Sequence, residues 1–154
     1  MTTGETRAGC GDRAASSETV LAWEDVPGDP VALVDGDSLT STAADLARFL
    51  DALVNGRLIG QRMLGKMRTA VAVPYKHPIF TSPSYGLGLM IDPNSRLGTV
   101  GGHTGGGPGY STAAFHFPRA GERNVICVAL VNSDRGREME IAWTMAEVVA
   151  ETSA

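Results

Sequence analysis

The sequence predicts an α+β fold, in which an antiparallel β-sheet of about four strands carries an N-terminal helical pair and a packed C-terminal helix. The first observation behind this prediction is a run of strand-like segments over residues 85–131, separated by short turn sequences. The second is that apolar residues recur at helical spacing on both sides of that run. The 154 residues are 43% hydrophobic and 19% charged, which is typical of a single globular domain with its own core.

The N-terminal helical pair begins at a capping signal. Thr42 can accept a hydrogen bond from the first free backbone N–H groups of a helix, and Asp45 follows three residues later, as in a capping box. This helix is predicted to end at Asn55-Gly56. Its apolar stripe consists of Leu46, Phe49, Leu50 and Leu53. A second, shorter helix is predicted from Gly60 to Met67, and the residues that it buries are Met63, Leu64 and Met67.

The strands and the last helix follow in order. The four segments with strand composition are Tyr85–Ile91, Leu97–His103, Tyr110–Phe117 and Val125–Val131. Residues 92–95 are predicted to form a turn, and the three prolines of residues 69–83 predict a long loop. The segment Val125–Val131 is apolar at every position, which is typical of a strand covered on both faces. A helix from Arg137 to Glu151 closes the chain, with an apolar stripe made of Ile141, Met145, Val148 and Val149.

The N-terminus and the bulk charge exclude several classes of partner. Residues 1–35 are polar and small, and we interpret them as a disordered or loosely attached leader. They contain no apolar core, so they are not a secretory signal, and the chain as written is expected in the cytoplasm. A net charge of −4 disfavours nucleic acid as a partner, and no apolar run approaches the length that spans a membrane.

The two cysteines, Cys10 and Cys127, lie in unlike settings, one in the polar N-terminal segment and one in an apolar run. This predicts a buried thiol at Cys127 and no disulfide framework.

The candidate site lies in a glycine-rich segment. Six glycines occur between Gly101 and Gly109, with one histidine, His103, and one threonine among them. Glycine at this density lets another molecule approach the backbone closely. His103 is therefore the candidate acid–base or charge-stabilising group. His77 is interpreted as a loop residue and His116 as a packed or surface residue, so the scattered histidines predict no metal site, and no cofactor is expected.

Ser111 offers a second chemistry, that of a serine nucleophile. The segment Gly109-Tyr110-Ser111-Thr112-Ala113 superficially resembles the G-x-S-x-G turn of α/β-hydrolases, but a strand rather than a helix follows the serine. A phosphate-binding loop is rejected, because no G-K-[ST] follows the glycines and no helix begins there. An independent serine hydrolase that uses Ser111 with His103 stays open as a minor alternative.

Three segments, taken in order, resemble a known family. They are Ser38–Leu50, Tyr85–Gly88 and Gly102–Ser111. Together they resemble the C-terminal half of the serine β-lactamase-like proteins, which include class C β-lactamases, penicillin-binding DD-peptidases, D-aminopeptidases and certain esterases. The resemblance covers about residues 36–150. It implies that residues 36–154 form the C-terminal part of a β-lactamase-like domain, with a partial β-lactamase/transpeptidase-like fold.

The resemblance also assigns roles to the glycine-rich segment. His103-Thr104-Gly105 matches the histidine form of the family's third motif, K-T-G or H-x-G. The resemblance implies that His103 holds or polarises the catalytic hydrogen-bond network and that Thr104 faces the carboxylate or carbonyl of a small-molecule or peptide-like substrate. It further implies that Gly105 lets the substrate lie against the strand and that the Gly106 N–H donates in the oxyanion hole. A strand edge without side chains also permits an extended substrate to pair with it.

Two other family motifs have no match in these 154 residues. The nucleophile motif S-x-x-K needs a serine three residues before a lysine, but the positions before Lys66 and Lys76 hold Met63 and Val73. No tyrosine begins the second motif, Y-x-N or Y-x-S. The chain alone is therefore expected to be inactive toward β-lactams, peptides and esters, as a truncated C-terminal portion of a hydrolase. The alternative is a non-catalytic binding or assembly module.

The resemblance implies, finally, that one strand lacks its neighbour. In the family, the strand that corresponds to Val125–Val131 pairs with strands of the N-terminal half, so a bare apolar edge is expected here. Three outcomes stay open: a homodimer through the 125–131 edge, completion by a separately made partner, or a poorly stable truncation product. Residues 1–35 could instead fold back over the edge, with Val31–Val34 as the strand. A full-length relative could be exported.

Overall fold

A computed structural model describes residues 41–74, 76–107, 109–133 and 135–153. The helices are α1 (Ala43–Val54), α2 (Gln61–Met67) and α3 (Glu138–Glu151). The strands are β1 (Val71–Ala72), β2 (Ser84–Tyr85), β3 (Met90–Ser95), β4 (Gly98–Gly107), β5 (Tyr110–Ala120) and β6 (Arg123–Val131). The leader that the sequence predicts over residues 1–35 lies outside the described residues.

The six strands form one antiparallel sheet in chain order, from β1 at one edge to β6 at the other. The α+β class and the antiparallel sheet are confirmed, with two strands more than the four or so that the sequence predicts. The extra strands, β1 and β2, have two residues each. Two residues are too few to show the alternation by which a strand is identified in a sequence.

The segment Tyr85–Ile91 is not one strand, as predicted, but the end of β2, a tight turn and the start of β3. The Gly86 N–H donates to the Leu89 carbonyl at 2.8 Å, and Gly88 has a φ of 67°. Residues 92–95 lie within β3 and do not form the predicted turn. The composition of residues 92–95 is typical of a turn, but they form no turn here because the Asp92 carboxylate makes tertiary contacts.

Asp92 is fully buried and anchors the loop before β2. Its carboxylate accepts hydrogen bonds from the backbone N–H groups of Thr81 at 2.6 Å, Ser82 at 3.1 Å and Asn94 at 3.1 Å. A buried carboxylate that accepts several backbone N–H groups holds a loop in one conformation. Asp92 therefore ties residues 81–82 to β3 and fixes where β2 begins.

The capping prediction for α1 is confirmed. The Thr42 hydroxyl accepts from the Asp45 N–H at 3.1 Å, and Asn55 caps the other end before Gly56, whose φ is 70°. The α2 prediction is also confirmed within one residue. The buried residues are fewer than predicted, namely Leu50, Leu53 and Leu64. Phe49 is 57% exposed, so its place in the core was wrongly predicted.

One face of the sheet carries α3 and the main core. The Trp143 ring lies 4.8 Å from Phe117, 5.1 Å from Phe115 and 5.2 Å from Phe80, measured between ring centroids. The buried residues of α3 are Met139, Ala142, Trp143 and Ala146. Alanine lets the helix backbone approach the sheet closely while Trp143 fills the space between the aromatic rings.

The predicted apolar stripe of α3 is therefore largely wrong. Ile141, Met145 and Val148 are exposed, and of the four predicted residues only Val149 packs against the core. Cys127 is buried as predicted, and burial raises the pKa of its thiol. In the described part of the chain, none of the helices combines the length and the apolar character that crossing a bilayer would require.

Candidate functional site

The glycine-rich segment is part of a strand, and His103 lies in the middle of it. β4 extends to Gly107, beyond the predicted end of that strand at His103. His103 pairs with Ala114 of β5, whose neighbours Ala113 and Phe115 point into the core under α3. Because side chains alternate along a strand, His103 projects from the opposite face of the sheet, where it is exposed.

One edge of β4 is left without a strand partner at this point. The pairing of β3 with β4 ends at Met90 and Gly102, whereas β5 continues to pair with β4 as far as Gly107 and Tyr110. Among the described residues, 103–107 therefore have a strand on the β5 side alone. The backbone groups of a free edge are available to an extended ligand.

Tyr85 is the nearest polar side chain to His103. Its hydroxyl oxygen lies 2.5 Å from His103 Nε2, and the two rings meet edge to face with centroids 5.8 Å apart. The other ring nitrogen, Nδ1, contacts the carbonyl oxygen of Thr104. The sequence alone does not indicate this pair, because it predicts residues 85–91 as one strand, whereas a tight turn after Tyr85 brings its ring to β4.

The three predicted substrate-binding residues follow His103 along the free edge. Thr104 is half-buried, and its hydroxyl donates to the sulfur of Met90 at 3.6 Å. Gly105 and Gly106 are exposed, and the Gly105 carbonyl accepts from the hydroxyl of Thr112 at 3.3 Å. The strand thus places residues 103–106 consecutively along its free edge.

Gly102 is glycine for a different reason. A Cβ atom at this position would lie 2.1 Å from the Ala114 carbonyl oxygen and 2.6 Å from Cδ1 of Phe115. Real Cβ atoms do not approach other heavy atoms so closely, so the contact of β4 with β5 requires glycine here. Not every glycine of the segment is therefore free to serve a ligand.

Ser111 and His103 are not brought together. Ser111 pairs with Gly106 and shares its face with Ala113, so its side chain points to the α3 side while His103 points to the other. The Ser111 hydroxyl is buried and has no hydrogen-bond partner among the described residues. The geometry thus argues against the hydrolase that would use this pair.

The other two histidines have structural surroundings, as predicted. His77 Nδ1 accepts from the backbone N–H groups of Ile79 and Phe80, both at 3.2 Å. His116 Nε2 lies 2.5 Å from the side-chain oxygen of Asn124. Partial burial lowers the pKa of both imidazoles, because it disfavours their charged form.

Two concave regions of the described surface lie away from His103. A cavity of about 450 Å³ lies between the ends of the two N-terminal helices and the middle of the sheet, and His116 is among its lining residues. The second is an apolar groove along β6, between α1 and α3. The edge at 103–107 lines neither of these regions, and its exposed residues form one open wall.

This wall offers an exposed imidazole, a phenol and free backbone groups. The hydrogen-bond partners of His103 among the described residues are the Tyr85 hydroxyl and the Thr104 carbonyl, and neither a serine nor a lysine is one of them. The wall can therefore bind and orient an extended or carbonyl-containing compound. The described side chains around His103 include no serine–base pair that would attack such a compound.

Comparison with known proteins gives consistent matches. A family model described as Beta-lactamase matches residues 2–151. A D-stereospecific amidohydrolase from Streptomyces sp. is 30% identical with a TM-score of 0.55, and the match covers 69% of this chain. An octameric penicillin-binding protein homologue from Pyrococcus abyssi is 28% identical with a TM-score of 0.59, and the match covers 71% of this chain. No curated protein sequence matches the chain.

The two solved structures are much longer proteins. The chain spans 29% of the amidohydrolase and 24% of the penicillin-binding protein homologue. The similarity agrees with the helices, the antiparallel sheet and the ordered motifs described above. Because the family match extends over nearly all of the 154 residues, the chain belongs to the beta-lactamase family.

Proposed function

We propose that this chain supplies one wall of a serine-hydrolase cleft for β-lactam, peptide-like or ester substrates, and that the nucleophile comes from protein outside these residues. The observation that carries the proposal is the free edge of β4 at residues 103–107, with the exposed His103 at its start. An open wall without a serine–base pair has the parts needed to hold and polarise a substrate. It lacks the part that would attack.

Each residue of the wall has a proposed role. His103 holds the hydrogen-bond network of the cleft, and Thr104 faces the carboxylate or carbonyl of the substrate. Gly105 lets the substrate lie against the strand, and the Gly106 N–H donates to the oxyanion that forms during acyl transfer. The exposure of His103, Gly105 and Gly106 supports these roles, because a substrate can reach all three.

The matched structures support an acyl compound as the substrate. One is named as a D-stereospecific amidohydrolase and the other as a penicillin-binding protein homologue. The family match over residues 2–151 supports the same class of chemistry. Because the chain spans 29% and 24% of those proteins, much of a complete cleft lies in regions that have no counterpart here.

A labelling experiment tests this proposal. The chain is incubated with a fluorophosphonate probe, a p-nitrophenyl ester and a chromogenic β-lactam, alone and with an N-terminal-half protein of the family that carries S-x-x-K. We expect no labelling or turnover by the chain alone, because the described residues offer no activated serine and the sequence contains no S-x-x-K motif. With the second protein present, we expect labelling of the S-x-x-K serine, and His103→Asn should slow that labelling about 100-fold.

The matched control is the same N-terminal-half protein with its motif serine changed to alanine, which should abolish labelling. Labelling of Ser111 or Tyr85 in the chain alone would contradict the proposal, because the attacking group would then lie in this chain. No labelling in the mixture, with binding of an extended peptide to the free edge, would favour the alternative of a non-catalytic binding module.

We also propose that, where no N-terminal-half protein occupies the edge of β6, two copies of the chain associate through β6 and the groove beside it. Among the described strands, β6 pairs with β5 alone, and its free edge runs along the apolar groove between α1 and α3. Ile141, Met145 and Val148 add three exposed apolar side chains to this surface. Exposed contiguous apolar surface next to a free strand edge is typical of an interface.

Sedimentation velocity tests the association. The wild-type chain is expected to sediment as a dimer, and Met145→Lys is expected to give monomers, because it places a charge in the apolar surface. The control is Leu58→Lys, which changes a residue that is 50% exposed outside the groove and should leave the dimer intact. A monomeric, dispersed wild-type chain would exclude the homodimer.

A further inference from the structure

Both ring nitrogens of His103 are engaged by groups of the chain itself. Nε2 lies 2.5 Å from the Tyr85 hydroxyl oxygen, and Nδ1 contacts the carbonyl oxygen of Thr104. A carbonyl oxygen can only accept a hydrogen bond, so Nδ1 must carry the hydrogen. In the neutral ring Nε2 then has the lone pair, and the Tyr85 hydroxyl donates to it.

The fold holds Tyr85 in place through the turn that follows it. Beside the Gly86–Leu89 hydrogen bond, the Leu87 N–H donates to the Met67 carbonyl at the end of α2, at 3.0 Å. A Cβ atom on Gly86 would lie 2.1 Å from that same carbonyl oxygen, so the turn sits directly against the helix end. The position of the phenol thus depends on α2, β3 and the turn together.

We propose that Tyr85 is a positioning residue for His103: the Thr104 carbonyl selects the Nδ1–H tautomer, and the phenol, by donating to Nε2, fixes the ring against the free edge of β4. A histidine on an exposed strand would otherwise exchange between two tautomers and several rotamers. The phenol and the Thr104 carbonyl together leave one tautomer and one ring orientation. This role rests on the proposed function of His103, but the hydrogen bond itself can be measured without any activity.

Nitrogen-15 NMR of the imidazole rings tests the proposal in the 154-residue chain. At about pH 8.5, about two units above the ordinary histidine pKa, the spectrum distinguishes protonated from unprotonated ring nitrogens. The His103 signals are identified by their loss in His103→Asn. We expect a protonated Nδ1 and an unprotonated Nε2 in the wild type. Tyr85→Phe should shift the Nε2 resonance, because that nitrogen loses its donor, while Nδ1 stays protonated by its contact with the Thr104 carbonyl.

The chain contains two matched controls. His77 Nδ1 accepts two backbone N–H groups, so His77 should show the opposite tautomer, Nε2–H, in every variant. Tyr110→Phe removes the hydroxyl of a phenol ring that lies beside Gly107, at the other end of the free edge. It should leave the His103 signals unchanged. Equal effects of Tyr110→Phe and Tyr85→Phe would overturn the proposal.

An Nε2–H tautomer of His103 in the wild type would also overturn it, and that measurement does not depend on the folding of a Tyr85 variant. So would a His103 spectrum that Tyr85→Phe leaves unchanged. The labelling experiment described above tests the proposed function separately. The expected tautomer without labelling in the mixture would count against the cleft function alone, whereas labelling with the wrong tautomer would count against the role of Tyr85 alone.

Discussion

Changing Asp92 to alanine is expected to lower the free energy of unfolding by about 3 kcal/mol. The variant removes a fully buried carboxylate that accepts three backbone N–H groups, from Thr81, Ser82 and Asn94. Hydrogen bonds to a charged group contribute about 1.5–3 kcal/mol each, and partial access of water to residues 81–82 offsets some of the loss. Urea unfolding followed by circular dichroism measures the change.

Asp92→Asn gives a graded comparison. The amide oxygen of Asn can still accept hydrogen bonds, but its NH₂ group leaves at least one of the three backbone N–H groups without an acceptor. We therefore expect the free energy of unfolding to fall by a smaller amount, about 1–2 kcal/mol. The control is Glu122→Ala in the exposed turn before β6, which should change stability by less than about 0.5 kcal/mol. A loss for Asp92→Ala no larger than for Glu122→Ala would show that the carboxylate does not hold the loop.

Changing Phe115 to alanine is expected to cost about 3–5 kcal/mol of stability. Phe115 is fully buried, and its ring centroid lies 5.1 Å from that of Trp143 and 6.0 Å from that of Phe80. Its loss leaves a cavity beside these two rings, between the sheet and α3. Because domains of this size are stable by about 5–15 kcal/mol in total, this variant is expected to be partly unfolded at 37 °C.

The chain offers a matched control in Phe49, a phenylalanine that is 57% exposed on α1. Phe49→Ala should change the free energy of unfolding by less than about 1 kcal/mol, because little apolar area returns to water. Urea unfolding of the two variants, measured side by side, isolates the effect of burial. If Phe49→Ala were the more destabilising variant, the core assignment would be wrong.

Local patterns were sufficient to predict α1 and α2. The Thr42 cap, the Asn55-Gly56 end and the short α2 depend on contacts between residues a few positions apart, which the sequence displays directly. The face that α3 buries was predicted wrongly, because two faces of that helix are apolar. Packing against Phe115 and Phe117 selects the face with Trp143 and the alanines, and no local rule expresses that choice.

The candidate site, too, could be predicted from the sequence only in part. The density of glycine singled out the segment around His103, and the resemblance to the family assigned roles to Thr104, Gly105 and Gly106, although the predicted strand ended at His103 and the observed one extends to Gly107. Tyr85 joins the site through a tight turn and the end of α2. Ser111 lies on the opposite face of the sheet from His103, because side chains alternate along β5. Side-chain identity determines what chemistry is available. Which groups meet depends on contacts between residues far apart in the chain, which become visible only when the sheet is assembled.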